Sequence, residues 1–178
     1  QIRTLGTHLR SEITDDCDEY STEFDNDFGK GKIRGINFEN GLSVMMFNVN
    51  MHQDFKIEYR LGVRHPVLFF YGNKGTTILH AIDDDIINTA ERNDALIFAP
   101  KGASNYSLTL GANQHIQCIF VGVTRYLFLE KIECDVNTLQ DQLEIFFRDT
   151  NAKSAFYFKT VSEPNVVQNL TSLFKSTQ

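Results

Sequence analysis

The feature that most constrains this chain is a series of short β-type segments between residues 33 and 123. They are rich in Phe, Val, Ile, Tyr and Thr, which favour strands. Turn-forming pairs such as Asn40-Gly41 separate them. A spacing of about 8–12 residues with no helical period predicts an antiparallel sandwich or barrel. The predicted strands cover residues 33–38, 42–48, 55–61, 67–71, 76–80, 85–89, 95–99, 105–110 and 115–123.

After residue 123 the apolar residues recur with a helical period. We expect a helix over 124–131, then one behind a capping box formed by Asn137 and Gln140. An extended piece at 155–160 precedes a last helix with Pro164 in its first turn. The fold class is therefore mainly β with C-terminal helices (α+β), an antiparallel barrel followed by two or three helices. The helical stripes consist of Leu139, Leu143, Phe146 and Phe147, then Val166, Val167, Leu170, Leu173 and Phe174.

Residues 1–30 have a different composition. No basic residue lies between Arg10 and Lys30, whereas eight acidic residues do. Like charges and low apolar content predict a flexible acidic arm, with Tyr20, Phe24 and Phe28 able to pack onto a folded body. The sequence thus predicts an arm over 1–30, a barrel over 31–123 and a helical dimerisation segment over 124–178.

Overall charge, cysteine content and hydropathy limit the kinds of protein that this chain can be. The net charge of −6 is unfavourable for a DNA-binding surface, which needs a basic patch. The three cysteines are odd in number and widely spaced, which indicates a reducing compartment and no disulfide framework. No run approaches the roughly 18 apolar residues of a membrane span, and no signal peptide is apparent. We therefore expect a cytoplasmic protein that does not contact a membrane.

The sequence contains no strong catalytic or metal-binding motif. Its histidines are His8, His52, His65, His80 and His115, and no two have the His-x-His spacing of a cupin metal site. No Gly-x-Ser-x-Gly nucleophile elbow or phosphate-binding glycine loop is present. The sequence therefore predicts no enzyme activity, no metal and no cofactor.

The interior of the predicted barrel remains as a site for a small organic ligand. Alternation places Phe69 with Tyr71 on one strand face, and Ile78 with His80 on another. The alternative is that these side chains only fill the core. The candidate ligand-binding residues are Phe69, Tyr71, His80, Phe98, Tyr106 and Phe120.

The order of these segments resembles one protein family. Residues 92–102, RNDALIFAPKG, followed by Tyr106-Ser107, resemble the barrel segment of AraC-type transcription regulators. Residues 41–47, 55–59 and 66–71 resemble more narrowly the pyochelin-regulator branch. The resemblance covers roughly residues 33–174, and its weight lies in the order of the segments.

The resemblance implies an N-terminal cupin-like sensor, dimerising helices and a C-terminal DNA-binding region of two helix-turn-helix units. That region is not in this sequence, so we expect DNA contact only through a domain absent here. Two alternatives stay open, namely a dimerisation scaffold with a filled barrel and a cupin-type metal enzyme. The predicted homodimer interface consists of Leu139, Leu143, Phe146, Phe147, Val166, Leu170 and Phe174.

Overall fold

The computed structural model describes residues 2–59, 66–102, 104–136, 138–139 and 141–175. It is mainly antiparallel β with few helices, which confirms that part of the predicted fold class. In chain order the elements are α1 (Ile2–His8), β1 (Ile13–Asp16), β2 (Glu19–Asn26), β3 (Gly29–Asn37), β4 (Leu42–Met51), β5 (Phe55–Tyr59), β6 (Val67–Lys74), β7 (Thr77–Ala81), β8 (Ile86–Ala90), β9 (Asp94–Ala99), β10 (Tyr106–Leu110), β11 (His115–Val123), α2 (Arg125–Val136), α3 (Asp141–Arg148), β12 (Phe156–Val161) and α4 (Pro164–Lys175).

Hydrogen bonding among the described residues joins the strands into two antiparallel sheets. The large sheet has eight strands in the order β1-β2-β3-β4-β11-β6-β9-β12, and the small sheet has four in the order β5-β10-β7-β8. The longest pairing runs between β4 and β11, from His115 opposite Asn50 to Val123 opposite Leu42. This ladder forms the middle of the large sheet and carries side chains into the space between the sheets.

The main core lies between the two sheets. Alternate residues of β4 (Phe47, Val49 and Met51) point into it and are at most 1% exposed. Leu79 and Leu110 of the small sheet meet them and are fully buried. Full burial of each such side chain contributes about 1.5–3 kcal/mol of hydrophobic stabilisation.

A second apolar cluster covers the other face of the large sheet. Val67, Ala99 and Val123 are buried there against Phe146 of α3. Strands β6, β9 and β11 are therefore buried on both faces. For this reason their sequences are nearly continuous runs of apolar residues and do not alternate between apolar and polar residues.

The prediction of a flexible acidic arm over 1–30 is wrong for residues 2–30, which form α1, β1, β2 and the start of β3. Strand β2 pairs along its whole length with β3. Thr22 and Phe24 point inward and are buried, while the acidic residues remain on the outer surface. Three of those acids form ion pairs, in which Asp15 lies 3.1 Å from Arg3, Glu19 2.5 Å from Arg34 and Asp25 2.8 Å from Lys30.

The C-terminal segment contains the predicted helices with shifted limits. Helix α2 runs from Arg125 to Val136, beyond the predicted end at 131. The predicted capping residues Asn137 and Gln140 lie outside the described residues, and α3 begins at Asp141. The extended piece becomes β12, which pairs with β9 and extends the large sheet. No helix among the described residues is long and apolar enough to span a membrane.

Candidate functional site

A cavity of about 620 Å³ opens between the two sheets at one end of the core. Its walls come from both sheets. Met45, Leu68 and Phe120 of the large sheet face Tyr59 and Leu108 of the small sheet. We call this end, where β11 finishes and α2 begins, the open end. The opposite end, around Met51, Leu110 and Ile116, is the closed end.

Small residues at inward-facing positions explain why the cavity forms. Gly35 follows Ile33 by two residues on β3, and Gly122 follows Phe120 by two on β11, so both glycines face the interior. Ser43, directly opposite Gly122, is also small. All three residues line the cavity. Strands β4 and β11 therefore lose interior side-chain volume towards the open end, from Met51 and Ile116 to Ser43 and Gly122, while their backbones continue.

Two stacked tyrosines form part of the small-sheet wall. The rings of Tyr59 and Tyr106 lie 4.7 Å apart between centroids, with an interplanar angle of 14°. Burial raises the pKa of both phenols above the ordinary value of 10. Because a protonated phenol donates as well as accepts, each hydroxyl is a neutral hydrogen-bonding group near physiological pH.

Helix α1 covers one side of the cavity mouth. A Cβ placed on Gly35 would come within 2.4 Å of Cδ1 of Ile2, so the glycine leaves the room in which Ile2 packs. Arg3, also on α1, donates from Nη2 to Oδ2 of Asp15 at 3.1 Å. Its guanidinium carbon lies 5.5 Å from the ring centroid of Tyr20, and Arg3 and Tyr20 both line the cavity.

The start of α2 covers another side of the mouth. Thr124 and Leu127 line the cavity, and the backbone N–H of Thr124 donates to the carbonyl of Gly41 at 2.8 Å. Gly41 has φ of +78°, a conformation that favours glycine, and a Cβ there would lie 2.6 Å from Cβ of Leu127. The cavity is therefore in direct contact with α2, whose Phe128 packs on Phe147 of α3 at 5.7 Å.

The structure places two of the six predicted ligand residues, Tyr106 and Phe120, in the cavity wall. Phe98 lies in the main core, 5.6 Å from the ring of Tyr106, but does not line the cavity. Phe69 lies on the helix-covered face of the large sheet and stacks on Phe147 at 6.4 Å. By alternation Tyr71 is on the same face as Phe69.

His80 lies on the outer face of the small sheet, because Leu79 and Ala81 take the inward positions of β7. Its Nε2 is 3.6 Å from Oδ1 of Asp85. The predicted inward orientation of Phe69, Tyr71 and His80 is therefore wrong. Alternation groups residues onto one face but cannot tell which face looks inward when both are apolar. Whether any of the six candidates binds a ligand stays a prediction.

Sequence reasoning missed most of the cavity wall. Tyr59 and Leu108 were detectable as members of alternating apolar strands, but nothing local marked them as facing a void. Arg3 and Tyr20 were assigned to a flexible arm, with Tyr20 able to pack onto a folded body. The detectable signal was the change from large to small inward residues along β4 and β11, which ends in Ser43 and Gly122.

Several residues of the predicted dimer interface pack against other residues of the same chain. Phe146 is 7% exposed and packs on Phe156 at 4.8 Å. Phe147 is half-buried against Phe69, and Phe174 is buried. Leu139 precedes α3 and, like Leu143, is half-buried. Val166 is 45% exposed, and the side chain of Leu170 lies outside the described residues.

The described residues contain no group of three or more His, Cys, Asp or Glu side chains arranged to hold a metal ion. Of the two cysteines that the structure characterises as free thiols, Cys17 is exposed and Cys118 is fully buried in the core. Burial raises the pKa of the Cys118 thiol to about 12, so the thiol stays protonated and serves as a small core group.

Comparison with solved structures found matches at low sequence identity. An apo variant of ToxT from Vibrio cholerae is 10% identical over 76% of this chain and 47% of its own, with a TM-score of 0.49. Wild-type ToxT bound to an unsaturated fatty acid is 10% identical over 74% and 45%, with a TM-score of 0.47. The pirin YhhW from Escherichia coli in complex with nickel(II) is 8% identical over 86% and 55%, with a TM-score of 0.47.

This chain thus spans about half the length of these structures. No protein-family model matches the sequence, and no curated protein matches it significantly. At these identities and TM-scores the structural matches do not assign the chain to a family.

Proposed function

We propose that this chain is the ligand-sensing domain of a cytoplasmic AraC-type transcription regulator and has no enzyme activity. In this proposal it binds a small organic molecule in the cavity between the sheets. It forms a homodimer and contacts DNA only through a separate C-terminal domain. The regulator assignment rests on the order of sequence segments over residues 33–174, and the sensing role rests on the cavity.

The observation that carries the sensing role is the 620 Å³ volume of the cavity. Binding sites for drug-sized molecules occupy about 300–1,000 Å³ and combine apolar walls with a few polar groups. This cavity has both kinds of group, because Met45, Leu68 and Phe120 accompany the hydroxyls of Tyr59 and Ser43. The main alternative, a scaffold with a filled barrel, predicts no cavity of this size between the sheets.

The cavity is also placed where a ligand could influence the helices. Ile2 of α1 and Leu127 of α2 both line it, and α2 packs on α3 through Phe128 and Phe147. A ligand shifts a conformational balance only by binding one arrangement more tightly than the other. Contacts to α1 and α2 are the means by which that difference would arise here.

The homodimer part of the proposal uses the apolar residues that the C-terminal helices leave exposed. Ile145 of α3 is 70% exposed, and Val166 and Leu173 of α4 are 45% and 44% exposed. Size-exclusion chromatography with light scattering would test this part. Ile145→Asp should yield monomers, whereas an unchanged dimer would exclude this surface of α3.

Native mass spectrometry of the purified chain, with and without extracts of the growth medium, would test the sensing role. We expect a bound small molecule whose mass identifies its class, among them sugars, fatty acids, siderophores and plant or host metabolites. A dimer that never carries a small molecule would favour the scaffold. A bound transition metal would favour a cupin-type enzyme.

A matched pair of variants on β4 would locate the bound molecule. Met45 lines the cavity, whereas its neighbour Met46 points to the opposite face, beside Phe174. Met45→Trp should occupy the cavity and abolish the adduct, whereas Met46→Trp should retain it. An adduct that survives Met45→Trp would place the ligand elsewhere on the molecule.

A further inference from the structure

The charge of the cavity lining is unusual for this chain. Among the described residues that line the cavity, Arg3 is the one charged side chain. The whole sequence carries 23 acidic residues against 17 basic ones, so its composition favours acids over cations. A low-dielectric cleft with a cation at its mouth and no described acid in its wall attracts anions.

Arg3 is held in place at the mouth without using all its donors. Its guanidinium lies over the ring of Tyr20, and Nη2 donates to Asp15. A guanidinium has five N–H donors and suits the bidentate geometry of a carboxylate. The side chains of Arg3 and Asp15 are 72% and 48% exposed, and ion pairs this exposed are weak. A ligand acid can therefore join Asp15 at Arg3 or replace it.

The inner wall of the cavity differs from the mouth, because its described side chains carry no charge. Met45, Leu68, Leu108 and Phe120 are apolar, and the hydroxyl of Tyr59 is neutral. The lining also has polar but uncharged side chains, among them Asn37, Ser43 and Thr124. A second charge would lose hydration there without a partner of opposite sign. The part of the ligand that enters between the sheets is therefore uncharged, and it is apolar or aromatic where it meets Leu108 and Phe120.

Taking the proposed ligand-sensing function as given, we infer that the ligand is a monoanion with an apolar or aromatic body. Its acid group contacts Arg3 at the mouth, and its body lies between the sheets against Phe120 and Leu108. Arg3 then determines specificity, because it separates the acid from neutral and cationic molecules of the same shape.

Three probes with one body and different charges would test this inference. They are 6-phenylhexanoate, its primary amide and 6-phenylhexylamine, each titrated into the whole chain by isothermal calorimetry. We expect the acid to bind about tenfold more tightly than the amide, since a charge-assisted contact to arginine is stronger than a neutral one. The amine should bind most weakly.

Variants around Arg3 should change the affinity for the acid in opposite directions. Arg3→Gln should remove the preference for 6-phenylhexanoate over the amide. Asp15→Asn should strengthen acid binding by about twofold to threefold, since it removes a competing carboxylate from an exposed ion pair. A purely structural role of the pair would weaken binding in both variants. Arg10→Gln is the matched control, because Arg10 lies over Phe28 at 5.7 Å and does not line the cavity.

The outcomes separate this inference from the proposed function. Equal binding of all three probes, abolished by Met45→Trp, would overturn the inference and leave the sensing role intact. A neutral or cationic molecule found in the cavity by native mass spectrometry would do the same. If no probe binds and no natural adduct is found, both the inference and the sensing role fail.

Discussion

The closed and open ends of the core use the same strands but pack them differently. At the closed end Met51, Leu110 and Ile116 are at most 1% exposed and fill the space between the sheets. At the open end the inward positions of β4 and β11 shrink to Ser43 and Gly122, and the cavity lies beside them. The two ends therefore differ in packing, because side chains fill the space between the sheets at the closed end and leave a cavity at the open end.

This difference shows that a β-sandwich can form a cavity while its strand pairing stays continuous. The ladder between β4 and β11 is continuous from the closed end to the open end. The small residues Ser43 and Gly122 reduce the side-chain volume, and residues of α1 and α2 line the cavity beside them.

Two leucines of β10 give the largest expected contrast between the ends. Leu110→Ala should destabilise the chain by about 3 kcal/mol, because a new void forms in a fully packed region. Leu108→Ala should lower the free energy of unfolding by at least about 1 kcal/mol less than Leu110→Ala does, because the space it vacates joins the existing cavity. Urea denaturation of both variants would measure this difference. Equal losses would mean that the open end is packed as tightly as the closed end.

Displacing α1 from the mouth should have a smaller effect. Gly35→Ala forces the end of the Ile2 side chain to move and should cost about 1 kcal/mol. Hydrogen exchange should become faster in α1 but not at the closed end. Ile2→Ala is the control, because it removes the atom that the new methyl would meet. In the double variant the two losses should not add, and additive losses would show that Gly35 acts independently of α1.

The smallest expected effect is a pH dependence at the closed end. His115 begins β11, and its Nε2 lies 2.7 Å from Oδ1 of Asn48. Partial burial and the nearby Lys74 lower its pKa below the ordinary 6.5, so the folded state favours neutral imidazole. This contribution to stability is complete above pH 6.5 and is lost as the pH falls towards the folded-state pKa.

His115→Gln should flatten this acid-side loss while leaving stability at pH 8 nearly unchanged. Urea denaturation between pH 5 and pH 8 would measure it, with His52→Gln, an exposed histidine, as the control. An unchanged pH profile in His115→Gln would assign the acid sensitivity to other groups.

Local patterns predicted the kind of element well. All nine predicted strands lie on strands of the structure, and their limits differ by a few residues within the part of the chain that the structure describes. At the N-terminus, the acidic composition led to a wrong prediction for β2. The acids of β2 alternate with Thr22 and Phe24, so a strand with one charged face was interpreted as a flexible arm. Its pairing with β3 is a long-range contact that composition does not encode.

The amino-acid sequence by itself determined that this protein is mainly β with C-terminal helices, because turn residues and apolar periodicity act over a few neighbours. Only the tertiary structure decided which faces look inward and where space remains. Phe69 and Phe70 are chemically identical, yet Phe70 enters the core while Phe69 packs beneath the helices. That choice depends on which layer covers each face, and the cavity depends on small residues of β4 and β11 that lie opposite each other at one end.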